Sequence, residues 1–142
     1  MVLFAVLTVM VATLAACGDD GGVEVADPWA RASAQTQDAG AVYMTISSSE
    51  GDNLVGVAVD PSVAAKAELH ETTMAEDGLM SMSQVTAIPV PTGGEVKLEP
   101  GGYHVMLMKL AEPLVDGNEI TVTLTFETAG DMEVKATVEE NR

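Results

Sequence analysis

The only two imidazoles in the 142-residue sequence, His70 and His104, each lie in a short run with methionines close by. The clearest run is PGGYHVMLMKL, residues 100–110, where His104, Met106 and Met108 alternate with Tyr103, Val105 and Leu107 behind a glycine turn. In an extended chain residues i and i+2 share a face, so an imidazole and two thioethers would stand in a row. The same periodicity puts Glu68 and His70 on one face of AELHE, and Met80 and Met82 on one face of LMSMS. A methionine in a strand is usually a soft core filler, and a lone histidine usually a hydrogen-bonded structural residue. With three such segments, filler and metal ligand both stay open.

Were these residues ligands, their chemistry would select the ion. Thioethers paired with imidazole favour Cu(I), whereas zinc and iron sites draw on thiolate, imidazole and carboxylate. A blue-copper electron carrier needs a cysteine thiolate beside its histidines, and the single cysteine, Cys17, lies far from both in sequence. Imidazole coordinates only when neutral, so affinity should weaken as pH falls through roughly 6.5. No nucleophile with a base, no phosphate loop and no paired-acid motif stands in a recognisable context, so no enzymatic activity is predicted.

The elements that must position these residues have period two. VEVAD, AVYMTIS, LVGVAVD, AAKAELHE, LMSMSQV, EVKLE, YHVMLMKL, EITVTLTFE and MEVKATVEE are each short and alternating or rich in β-branched residues. Turn signals separate them, among them SSSEGDN, DPS, AEDG, PTGG, EPGG, VDGN and TAGD. The pattern predicts an all-β domain of about 8–9 short strands, a sandwich or barrel with Greek-key connections. EITVTLTFE alternates most plainly, with Ile120, Val122, Leu124 and Phe126 on the face expected to meet the core. Trp29 is expected to anchor the first strand. The rival to a metal-binding domain is a cell-surface β-sandwich adhesion or scaffold module without metal, which predicts imidazoles more than about 10 Å apart, since bonds near 2 Å cannot span that gap.

Residues 1–16, MVLFAVLTVMVATLAA, carry no charge and run into Cys17 and the polar stretch GDDGG. The run is short for a spanning helix and reads as the apolar part of an export signal. The first positive charge in the chain is Arg31, so the basic residues of such a signal are expected upstream. Leu14-Ala15-Ala16-Cys17 resembles the lipobox of bacterial lipoproteins, which implies lipid on Cys17 and no thiol in the mature domain. The expected organisation is a signal peptide over 1–17, a linker over 18–22 and a β domain over 23–142. The chain would then sit outside the cytoplasmic membrane, held there by its lipid alone. With 22 acidic against 6 basic residues and a formal charge of -16, the surface repels nucleic acids and anionic headgroups.

The chain resembles the PCuAC copper chaperones, small cupredoxin-like proteins of the bacterial cell envelope. The resemblance runs from DPWAR at 27–31 through AVYMTI at 41–46 and AELHE at 67–71 to PGGYHVMLM at 100–108. Its signature is a histidine, a methionine about eleven positions on, twenty-one residues, then His-x-Met. Met82, His104 and Met106 match the later part, with residues 83–103 between Met82 and His104. Between His70 and Met82 stand the eleven residues ETTMAEDGLMS, where the family usually has ten; the extra one falls in a turn, where insertions are tolerated. Met80 is closer to His70 in sequence, but Met82 has the family's distance to His104. The resemblance implies Cu(I) held by His70, Met82, His104 and Met106. It also implies delivery to an acceptor in cytochrome c oxidase assembly, with a Sco-type protein among the partners. Glu68 or Glu71 could orient His70 through its second ring nitrogen.

Overall fold

The computed structural model describes residues 22–142. The expected signal peptide, the lipobox with Cys17, and all of the expected linker except Gly22 lie outside the described residues. Ten strands follow in order: β1 (Val23–Arg31), β2 (Ala39–Ser48), β3 (Asp52–Val59), β4 (Ala64–Met74), β5 (Met80–Gln84), β6 (Ile88–Val90), β7 (Gly94–Leu98), β8 (Tyr103–Leu110), β9 (Glu119–Phe126) and β10 (Gly130–Glu139). They form one sheet in the order β5-β4-β8-β7-β2-β1-β10-β9-β3-β6, with β8 also pairing β2. The sheet folds back so that β3 lies against β4 and β6 against β7. The all-β prediction holds, with one strand more than expected.

The added strand is β6. It is the three-residue run IPV, which pairs only with β3, through Asp52↔Val90, Asn53↔Pro89 and Leu54↔Ile88. Proline has no N–H to give a ladder and so belongs on an edge strand, where β6 lies. Ile88 and Val90 nonetheless point into the core.

Alternation becomes burial most clearly in β9, where Ile120, Val122, Leu124 and Phe126 are buried between outward threonines. They join Val42, Ile46, Leu54, Val105 and Leu107 in a single core. In β8 this core takes Val105 and Leu107, which leaves His104, Met106 and Met108 on the other face of the strand. Trp29 is buried as expected but stands outside that core cluster. Its ring packs on Tyr43 at 4.7 Å between centroids. A bulge between Ala26 and Trp29, with Asp27 at φ 55°, shifts the register of β1 ahead of this contact.

Candidate metal centre

The three segments that carry imidazole or thioether are neighbouring strands, with β4 between β5 and β8. The ladder sets His70 directly opposite His104, and Glu68 opposite Met106. Across the β4–β5 hairpin it sets Thr72 opposite Met82 and Met74 opposite Met80. Opposed residues of an antiparallel pair share a face. His70, Met82, His104 and Met106 therefore all lie on one face of the three strands.

The two rings stand 5.8 Å apart between centroids, far inside the separation a module without metal predicts. An ion about 2 Å from one nitrogen of each ring lies about 3 Å from each centroid, so one ion can bridge rings up to about 6 Å apart.

Each ring is held through one nitrogen. His104 places Nδ1 3.2 Å from the Gly102 carbonyl oxygen, which accepts its proton and leaves Nε2 as the nitrogen that can coordinate. His70 places Nε2 3.0 Å from the Glu68 carboxylate. When that Nε2–H donates to Glu68, Nδ1 presents a bare lone pair, and this Nδ1 is buried with no partner at all. A buried polar atom without a partner costs about 1–3 kcal/mol and calls for an explanation such as a bound ion. Glu68, expected as one of two candidate orienting groups, is thus the one in contact with His70; Glu71 pairs across to Tyr103 and Ser83.

The electrostatics keep both groups in the forms coordination needs. The hydrogen bond from His70, followed by that from Lys66, lowers the Glu68 pKa and holds it as a carboxylate. Burial, reinforced by the neighbouring His70, lowers the His104 pKa against the opposing pull of the Gly102 carbonyl. The His104 ring consequently stays neutral further into acid than a free imidazole.

An open cavity of about 250 Å³ adjoins the pair, with Met82, His104 and Met106 among its lining residues. Met80 and Met108 do not line it; Met80 faces Met74 at the hairpin mouth, and Met108 faces Lys66 and Ala39. His70 does not line the cavity, and its side chain is 13% accessible. Among the described residues, no group of three or more His, Cys, Asp or Glu is placed to hold a metal. Any ion seated here would depend on thioethers for part of its shell, a donor set suited to a soft cation.

Two residues of this neighbourhood escape sequence reasoning. Tyr43 lines the cavity and covers His104 at 6.3 Å between centroids, while Thr72 lines it opposite Met82. Tyr43 lies in AVYMTI and could have been found there, because it alternates with the core residues Val42 and Met44 and so faces the other side of β2. Thr72 carries no signal that separates it from other strand threonines.

Ten strands in one folded-back sheet, with imidazoles facing across neighbouring strands, make the molecule a cupredoxin-like β domain. The family model described as "Putative lipoprotein LpqE-like" matches residues 23–138, and the chain belongs to that family, which is the PCuAC family. The "Putative lipoprotein Lxx21020" of Leifsonia xyli subsp. xyli (strain CTCB07) is 30% identical over 120 residues, which span 84% of this chain and 70% of that protein. Among solved structures, the copper-bound PCuAC domain from PmoF2 superposes with a TM-score of 0.68 at 27% identity, covering 84% of this chain and 94% of that one. The Cu(I) form of DR1885 from Deinococcus radiodurans superposes with a TM-score of 0.61 at 31% identity, covering 82% and 79% respectively.

Proposed function

We propose that this domain is a copper chaperone that binds Cu(I) through His70, Met82, His104 and Met106 and passes it to an acceptor protein. The observation that carries the reading is the orphan Nδ1 of His70, buried beside a second imidazole whose own Nδ1 is already engaged. Two nitrogens are thereby left for an ion, and Met82 and Met106 line the cavity next to them. The register supports Met82 over Met80. The hairpin folds back, so Met82 stands two pairs from the His70 row while Met80 stands four, although Met80 is nearer in sequence.

Delivery would proceed by ligand exchange. The cavity leaves the ion open on one side to incoming thiolates, and none of the four donors is anionic once the imidazoles are neutral. The domain would sit outside the cytoplasmic membrane, lipid-anchored at Cys17, and serve cytochrome c oxidase assembly with a Sco-type protein among its partners. It would carry an ion without catalysing a reaction. Copper-edge X-ray absorption of the reduced complex is expected to count two nitrogen and two sulfur neighbours. A shell without sulfur overturns the assignment.

The lowered pKa of His104 sharpens the pH dependence. Protons compete with copper only where the ring takes them up, and for a free imidazole that begins near 6.5. Burial moves the His104 step to lower pH, so its contribution to affinity should stay constant at neutral pH and be lost only in more acid solution. In an NMR titration of the metal-free protein, the His104 ring is expected to titrate below 6.5. A midpoint above that value contradicts the geometry.

A further inference from the structure

We propose that the open end of the β4–β5 hairpin carries an outer seat for Cu(I), formed by Met74, Met80 and Met82 and sharing Met82 with the inner histidine centre. The inference rests on Cu(I) being the cargo and adds two residues that the inner centre does not use.

The hairpin has two chemically distinct faces. Glu71↔Ser83 and Thr73↔Ser81 pair on one, and Met74↔Met80 and Thr72↔Met82 on the other. Such segregation ordinarily reflects a core beneath the apolar face, but all five residues of β5 are exposed. Met74, Met80 and Met82 are 70%, 60% and 52% accessible, whereas Met44, whose strand does cover the core, is 2% accessible. Burial therefore does not explain why the thioethers are gathered together.

Coordination does explain it. Directly opposed residues hold their Cβ atoms about 4.5–5.5 Å apart, and residues two apart along a strand are about 6.6–6.8 Å apart. Three flexible methionine side chains close those gaps easily, and thioethers select Cu(I) over harder cations. The mouth is held by its turn: Ala75 N–H donates to the Leu79 carbonyl at 2.9 Å, Gly78 N–H to the Ala75 carbonyl at 2.9 Å, and Leu79 N–H to the Asp77 carboxylate at 3.0 Å. No lysine or arginine occurs between Lys66 and Lys97, and Glu76 and Asp77 lie in the turn that closes the hairpin, while Arg31 lines the cavity that Met82 shares with the inner centre.

Because Met82 belongs to both sets, the outer seat is an alternative position for the same ion. Copper on Met74, Met80 and Met82 reaches the inner centre when the two imidazoles displace Met74 and Met80, Met106 adds as the fourth donor, and Met82 stays bound throughout. One neutral donor replaces another, so neither an electron nor a proton moves. The outer seat binds more weakly, since it lacks imidazole and must order three mobile side chains.

The test uses Cu(I) alone, added anaerobically to protein carrying labelled methionine ε-methyl groups. In a His70→Ala/His104→Ala variant, Cu(I) is expected to move the methyl signals of Met74, Met80 and Met82, and adding Met74→Leu with Met80→Leu should abolish the response. With both histidines intact, Met74→Leu/Met80→Leu keeps size and apolarity but removes two sulfurs. That variant should hold its equilibrium affinity within about twofold, yet load from a Cu(I) chelator several-fold more slowly, because only the transient seat is gone. Still Met74 and Met80 signals, or an unchanged loading rate in the leucine variant, overturns the outer seat and leaves the inner centre standing. With both histidines present, response at Met74 and Met80 and none at Met106 supports the outer seat and removes the inner centre.

Discussion

Replacing His104 by alanine is expected to lower Cu(I) affinity by more than the roughly 10–100-fold that loss of an outer hydrogen-bonding partner costs. The imidazole is 4% accessible, already neutral at physiological pH through burial, and fixed by the Gly102 carbonyl with Nε2 free. Its loss takes a preorganised donor away and leaves His70 alone to supply nitrogen. Met106→Leu, which preserves apolar volume, is expected to cost less, because Met82, which also lines the cavity, can still supply sulfur. Anaerobic competition titrations against a Cu(I) chelator measure both variants, and near-UV circular dichroism checks that Trp29 and Tyr43 keep their packing. Unchanged affinity in both variants overturns the proposed ligand set.

Phe126→Ala is expected to destabilise the domain by about 3–5 kcal/mol, the usual cost of emptying an aromatic core position. Phe126 is 2% accessible, and the ladders set it opposite Leu54 on β3 and Gly130 on β10. Little surrounds it that could collapse into the space, since Leu54 and Leu124 are themselves fully buried. Set against a total stability of roughly 5–15 kcal/mol, the loss is severe. In a domain of this size it corresponds to a fall in Tm of about 10–20 °C. Urea or thermal unfolding followed by circular dichroism measures it, and a change below about 1 kcal/mol would contradict the packing described.

Where the core lies beneath one face of a strand, that strand was legible. Ile120, Val122, Leu124 and Phe126 alternate with threonines because one side meets apolar atoms and the other water. The run IPV was missed for the converse reason: three residues with a central proline carry too little periodicity, and only pairing with Asn53 and its neighbours makes them a strand. At the candidate metal centre, parity within each strand placed Glu68 with His70 and His104 with Met106, and only the β4–β8 register puts the two pairs on a common face. Parity could not choose between Met80 and Met82, which differ by two. Hairpin register separates them, and it depends on how many residues the Ala75–Leu79 turn absorbs, a quantity that sequence spacing alone leaves open. Glu68 was visible as a candidate because it stands two residues from His70, whereas the stacking of Trp29 on Tyr43 follows from a bulge that no alternation announces.

The strand that carries Met82 has one hydrogen-bonded neighbour, β4, while the strands that carry the histidines are paired on both sides. Parting a terminal strand from a ladder takes less work than shifting an interior one, so the two kinds of donor differ in how readily they yield. In the proposed complex the copper–sulfur bond to Met82 would therefore break first and the imidazole bonds last. Release would then follow a fixed order of bond breaking, in which an acceptor approaching from the β5 side meets an ion with its coordination already lowered, and the histidine pair sets how long the cargo is retained.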